Sequence, residues 1–159
     1  MSVDRKFLVV SDESDECASA ARFAGMRAKV VGAGLVILRV ARGSGFGHWR
    51  GLDEEMGREA REAAMIEARR LAEDVEAYCG QASEIVIKDG DALDAIRGLT
   101  ASDPTIKVLV LGSGTGRKGP GPLVTRLGRG KPLADRPLAV TVVPGQLNDE
   151  ELAEMGGMT

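Results

Sequence analysis

Five short apolar runs punctuate the chain: Phe7 to Val10, Leu35 to Ala41, Ile85 to Ile87, Ile106 to Leu111 and Leu138 to Val143. Nearly unbroken apolar runs of this length predict strands of a parallel sheet buried on both faces. Helical periodicity fills the stretches between them. Cys17, Ala21, Ala24, Ala28 and Val31 share one face of a first helix, with Gly32 and Gly34 at its stop. Ser14 is the expected N-cap, and Asp15 and Glu16 complement the helix dipole in the first turn. Asp53 is expected to cap a long second helix whose buried stripe is Met56, Ala60, Ala64, Ala68, Leu71, Val75 and Tyr78, ending at Gly80. Gly90-Asp91 leads into a helix carrying Leu93, Ile96 and Leu99, and Leu123 and Leu127 mark a short one. Asn148 to Met155 is expected to add an acidic helical turn or two.

Strands alternating with helices imply an α/β fold: an open five-stranded parallel sheet with helices on both faces. Right-handed crossovers and a doubly wound order of 3-2-1-4-5 set the first and fourth strands side by side. Their carboxyl ends then border the switch-point cleft, which receives Asp12 from one side and the loop after Leu111 from the other. The expected organisation is one domain over residues 1–146 and a short acidic tail over 147–159.

That loop carries the most chemistry. The fourth strand ends in Gly112-Ser113-Gly114-Thr115-Gly116-Arg117-Lys118-Gly119-Pro120-Gly121-Pro122. Glycines carry no Cβ and tolerate positive φ, so successive N–H groups can converge on an anion. Arg117 and Lys118 add positive charge, and Pro122 suits the first turn of a helix facing the same anion. The reading is a phosphate cradle; its rival is a surface turn with no ligand.

Composition narrows the function. The chain has 159 residues, a net charge of -3, 43% hydrophobic and 28% charged residues, and 3% aromatics. Those values fit an ordinary globular domain and argue against nucleic-acid binding, which calls for a basic excess. No apolar run approaches the roughly 20 residues of a membrane span, and Met1 to Lys6 shows no signal-peptide core, so a cytoplasmic protein is expected. Cys17 and Cys79, on different helices, are expected to be reduced and core-facing.

Competing motifs fail on position. Gly114 to Gly119 matches a dinucleotide fingerprint in letters, but it follows the fourth strand and runs into Pro-Gly-Pro instead of a helix. No Gly-Lys-Ser/Thr makes a Walker loop. His48, the one histidine, lies in a glycine-spaced loop and is expected to be solvated, and one His with two scattered Cys gives no metal-ligand spacing. Asp12, Glu13, Asp15 and Glu16 can hold Mg²⁺ beside a phosphate, although starting a helix accounts for Asp15 and Glu16 alone. Phe46 and Trp49 are expected to pin their loop to the domain, a lid over a ligand being the alternative.

Taken in order, these segments resemble the universal stress protein family. Val10-Ser11-Asp12-Glu13-Ser14-Asp15 through Phe23-Ala24 is similar to its strand-one Asp-x-Ser turn and following helix. Gly90-Asp91-Ala92-Leu93-Asp94-Ala95-Ile96 resembles its Gly-Asp-Pro-x-x-x-Ile segment, and Val108-Leu109-Val110-Leu111-Gly112-Ser113 its Val-Met-Gly-Ser strand. The resemblance spans residues 5 to 145. It implies the Rossmann-like fold also described as adenine nucleotide alpha hydrolase-like, and a homodimer built through the fifth strand. It also implies either an ATP-binding or a non-binding subtype. In binders Asp12 would face the nucleotide, the backbone at Val40 the adenine, and glycines after strand four the phosphates in a Gly-x2-Gly-x9-Gly-Ser/Thr pattern. Gly112 fits the first position, but Thr115 stands at the second, between Gly114 and Gly116, and Thr125-Arg126 stands at the closing pair. Gly128-Arg129 comes three residues late without a hydroxyl. The expected contacts are therefore Asp12, Val40, Gly112, Gly114, Gly116, Lys118, Gly119 and Thr125, with no catalytic and no metal residues.

The leading reading is a non-enzymatic, homodimeric stress-response regulator that binds ATP or another adenine nucleotide, with Mg²⁺ as an optional companion. Its unknown regulatory protein partner would sense occupancy of the loop. The alternative is a nucleotide-free interaction module of the same family. A weak hydrolase using Asp12 and Mg²⁺ ranks last, for want of a general base.

Overall fold

Strands pair in the order β3-β2-β1-β4-β5, all parallel. The computed structural model describes residues 4–12, 14, 16–41 and 50–157, with backbone alone at 50–53. Its elements are β1 (Lys6–Ser11), α1 (Glu16–Val31), β2 (Gly34–Ala41), α2 (Arg50–Cys79) and β3 (Glu84–Asp89). They continue with α3 (Ala92–Ser102), β4 (Ile106–Ser113), α4 (Pro122–Gly128), β5 (Ala139–Pro144) and α5 (Asp149–Gly156). Glu13, Asp15 and the loop of Phe46, His48 and Trp49 lie outside the described residues.

Alternation along the strands divides the core in two. Val9, Leu35, Ile37 and Val110 pack with Ala20, Ala24, Ala68 and Val75 of α1 and α2. Leu8, Val10, Val36, Leu38 and Leu109 pack with Ile96 and Leu99 of α3 and with Leu123 and Leu127 of α4. The inner strands need apolar residues at every position because both faces are covered. Both cysteines are free and buried, as expected. No described helix is long and apolar enough to cross a membrane.

Helix α1 lies close to its neighbours. A Cβ at Gly25 would sit 2.5 Å from Val75 Cγ1 of α2, so only glycine admits this approach. Arg22 then ties three helices: its guanidinium donates to both Asp74 oxygens at 2.8 and 2.9 Å and to Asp149 Oδ1 at 2.7 Å. It also lies 4.8 Å from the centre of the Tyr78 ring, where cation–π attraction adds to the pairing. Arg136 works likewise on the other face, donating to the carbonyls of Thr100, Asp103 and Ile106 where α3 hands over to β4.

Helix α2 differs from expectation at its start. It begins at Arg50, so Asp53 falls inside the helix, not at its cap. Met56, expected in the buried stripe, is 42% exposed. Length explains this. Thirty helical residues rise about 45 Å, whereas the eight residues of β2 span about 26 Å. The first turns therefore overhang the carboxyl edge of the sheet, and the buried positions begin at Ala64.

The segment after residue 146, expected as a tail, packs as part of the domain. Asn148 caps α5 through a reciprocal box with Glu151, and Gly157 closes it in the left-handed conformation. Leu152 is 1% exposed, and Arg27 Nη1 donates to the Gly156 carbonyl at 3.0 Å.

Two predictions follow from the helical layer. Leu152→Ala lowers the unfolding free energy by about 2–5 kcal/mol in urea titration; a change below about 0.5 kcal/mol, the surface range, would place α5 outside the core. The second concerns pH. The Arg22 hydrogen bond holds Asp74 below the usual carboxylate range, outweighing burial, which acts the other way. The stability it contributes is complete above the unfolded-state value of about 4 and is lost as pH falls through the lower folded-state value. Asp74→Asn should therefore show a weaker dependence of urea midpoint on pH below about 5 than the parent chain.

Candidate functional site

The sheet opens where topology predicts. The β1–β2 ladder runs to Ser11–Arg39 and the β4–β5 ladder to Ser113–Pro144, but β1 and β4 last pair at Val9–Val110. Both central strands continue past that point, so their carboxyl ends diverge. A crevice begins there, walled by the β4–α4 loop, the start of α3 and the overhanging turns of α2.

Asp12, Val40, Gly112, Gly114, Lys118 and Gly119 all line this crevice. Gly116 and Thr125 are not among its lining residues. Thr125 turns its hydroxyl onto its own helix, where Oγ1 donates to the Gly121 carbonyl at 2.7 Å. It therefore does not replace the absent closing hydroxyl in this conformation.

Asp12 ends β1 in a tight turn. Its Oδ1 accepts from the Ser14 N–H at 2.8 Å and from the Ser14 hydroxyl. Ser14, expected to cap α1, turns its side chain back to Asp12 instead. An Asx turn satisfies the carboxylate locally and leaves α1 to begin two residues later, at Glu16.

The glycines of the loop serve two different ends. Gly116 and Gly119 have φ of +109° and +74°, which side-chain-bearing residues rarely adopt. Gly112 and Gly114 do not; they give way to neighbours. A Cβ at Gly112 would lie 2.8 Å from the Glu16 carbonyl oxygen, and one at Gly114 would lie 2.7 Å from the Gly119 carbonyl oxygen. Two N–H groups expected to face an anion close the loop on itself: Gly114 donates to Pro120 O at 3.4 Å and Gly119 to Gly116 O at 3.2 Å. Pro122 opens α4 as anticipated, with Gly121 at its N-cap. Arg117 and Lys118 stand exposed at the rim.

Several lining residues escape sequence reasoning. Gly57, Ala60 and Ala64 enter through the α2 overhang. Arg61 joins this wall to the end of β3 through Asp89 at 3.1 Å, an exposed pair of small energetic weight. Arg39 donates from Nη1 to the buried Ser11 hydroxyl at 3.3 Å. The signal for Arg39 is its charge near the end of an otherwise apolar strand. Cys17 sits at the crevice floor, and burial pushes its thiol upward, away from the reactive thiolate. No group of three metal-binding side chains occurs among the described residues.

Comparison with known proteins agrees with this geometry. The family model described as "Universal stress protein family" matches residues 5–125. Universal stress protein UspA from Lactobacillus plantarum superposes with a TM-score of 0.63 at 22% identity, covering 90% of this chain and 99% of that one. A universal stress protein in complex with cAMP gives 0.61 at 20% identity, with 89% and 98% covered. The universal stress protein from Archaeoglobus fulgidus in complex with dAMP gives 0.52 at 20%, with 87% and 98% covered. No curated protein matches in sequence. With the family model extending from β1 into α4, over a sheet of the expected order, the chain belongs to the universal stress protein family.

Proposed function

We infer that the chain is a non-enzymatic regulator that binds an adenine nucleotide in the switch-point crevice. The observation that carries this is convergence: Asp12, the backbone end of β2 at Val40 and the cationic β4–α4 loop border one opening. The complexes of two structural neighbours with cAMP and dAMP support an adenine ligand. Lys118 and Arg117 supply the attraction for phosphate, and the crevice end of β2 offers backbone to the base. Asp12, the acid a hydrolase would need, is engaged by Ser14, which favours binding over turnover. A second copy of the chain is proposed along β5, whose outer edge exposes Val142 at 38%; occupancy of the loop would alter what a regulatory protein partner meets.

One observation favours the nucleotide-free interaction module instead, namely the closure of Gly114 and Gly119 within the loop. Thermal shift separates the two. A ligand bound only to the folded chain stabilises it by mass action, about 2.7 kcal/mol at one hundred times Kd. AMP and ATP are expected to raise the melting temperature, and a double Arg117→Glu, Lys118→Glu variant to lose most of that rise while melting normally without ligand. No shift at about millimolar nucleotide, a thousandfold above a micromolar Kd, would favour the interaction module. Phosphate release from ATP with Mg²⁺ should not exceed the protein-free control.

A further inference from the structure

Glu16 occupies a place that three separate segments leave open for it. It is the first residue of α1 and lines the crevice where β1 and β4 diverge. A Cβ on Gly145, beyond β5, would lie 2.4 Å from Glu16 Cγ and 3.0 Å from its Cβ. A Cβ on Gly112 would lie 3.0 Å from Glu16 Cβ as well as 2.8 Å from its carbonyl oxygen. A Cβ on Gly114 would lie 3.4 Å from the carboxylate oxygen Oε1. The strand end, the glycine loop and the β5–α5 turn thus form a slot with no side chains of their own, and the Glu16 side chain lies in it. The slot fixes the carboxylate at the root of the loop. No salt bridge to Glu16 forms among the described residues.

The geometry points to Glu16 as the residue that sets how much phosphate charge the crevice accepts. The inference rests on the nucleotide reading and adds a ligand class to it: an adenine nucleotide with one phosphate, open or cyclic, in preference to a triphosphate free of metal. Each phosphate laid along the loop brings negative charge towards a carboxylate held in place. Like charges within about 10 Å of each other near a protein surface, at an effective dielectric constant of about 20, cost roughly a power of ten in binding. The cationic rim attracts phosphate from outside, whereas Glu16 repels it from within, so charge added deep in the loop meets the larger penalty.

The test is calorimetric titration of AMP and ATP in EDTA, with parent protein, Glu16→Gln and Glu67→Gln. Glutamine keeps the size and shape of Glu16 and removes its charge. Glu67 is an exposed crevice residue of α2 and reports on crevice charge in general. Glu16→Gln should tighten ATP about tenfold more than it tightens AMP, and Glu67→Gln should leave the ratio unchanged. Equal tightening of both ligands, no tightening, or the same change of ratio in Glu67→Gln would overturn the role of Glu16 while leaving the nucleotide reading intact. If the parent binds neither ligand and Glu16→Gln binds ATP, the nucleotide reading and the one-phosphate preference both fail for the natural chain. Binding by no variant overturns both. Should the amide disturb the slot, seen as a lower melting temperature without ligand, Glu16→Ala repeats the readout without adding an atom.

Discussion

Helix α1 meets its surroundings at distances that a Cβ would forbid. Gly25 admits Val75 of α2, Gly156 of α5 would put a Cβ 2.8 Å from the Met26 methyl, and Gly112 and Gly145 admit Glu16 at the ends of β4 and β5. Four alanines of the same helix, Ala20, Ala21, Ala24 and Ala28, are completely buried. Small residues on both sides let the backbones approach closely. This closeness supports the rest. It draws α5 onto the domain, sets Arg22 between Asp74 and Asp149, and brings the first turn of α1 into the divergence of β1 and β4.

The same closeness decides what the crevice looks like. A parallel sheet leaves an opening at its switch point by topology alone. Here the opening is deepened by the overhang of α2 and partly filled by Glu16. The wall and the obstruction both follow from helix position: α2 is longer than the strands it covers, and α1 starts where β4 loses its side chains.

Much of this was legible in the sequence. The apolar runs named every strand, because a strand buried on both faces must be apolar throughout, and the doubly wound order taken with the strand–helix alternation is the order observed. Asp91 before Leu93 marked a helix start correctly, since capping is local chemistry: its carboxylate accepts from the Leu93 N–H. What failed was one local competition and two non-local effects. Ser14 had the right chemistry for a cap but a nearer partner in Asp12. Met56 fitted the apolar stripe, but sequence does not tell how far a helix outruns its sheet. Glycine has two uses, positive φ and close approach, and letters alone do not separate them. The loop glycines were read as serving both uses together; Gly112 and Gly114 serve close approach alone, Gly112 to Glu16, nearly a hundred residues away in the chain, and Gly114 to the Gly119 carbonyl.

That distinction bears on the energy of binding. The loop spends the N–H groups of Gly114 and Gly119 on its own carbonyls, at 3.4 and 3.2 Å. Bonds this long lie at the weak end of the range, and two of them amount to about 1 kcal/mol of net stability. A hydrogen bond from an amide to a charged phosphate oxygen returns about 1.5–3 kcal/mol. Self-closure is therefore the smaller obstacle, and a ligand able to engage either N–H group reverses it. The Glu16 carboxylate near Gly114 is different, because its repulsion grows with each phosphate and persists while its side chain is held against Gly112 and Gly145. In this chain the loop's hydrogen bonding can adapt to a ligand, but its charge is built in, and charge is the property by which nucleotides with different phosphate numbers differ most.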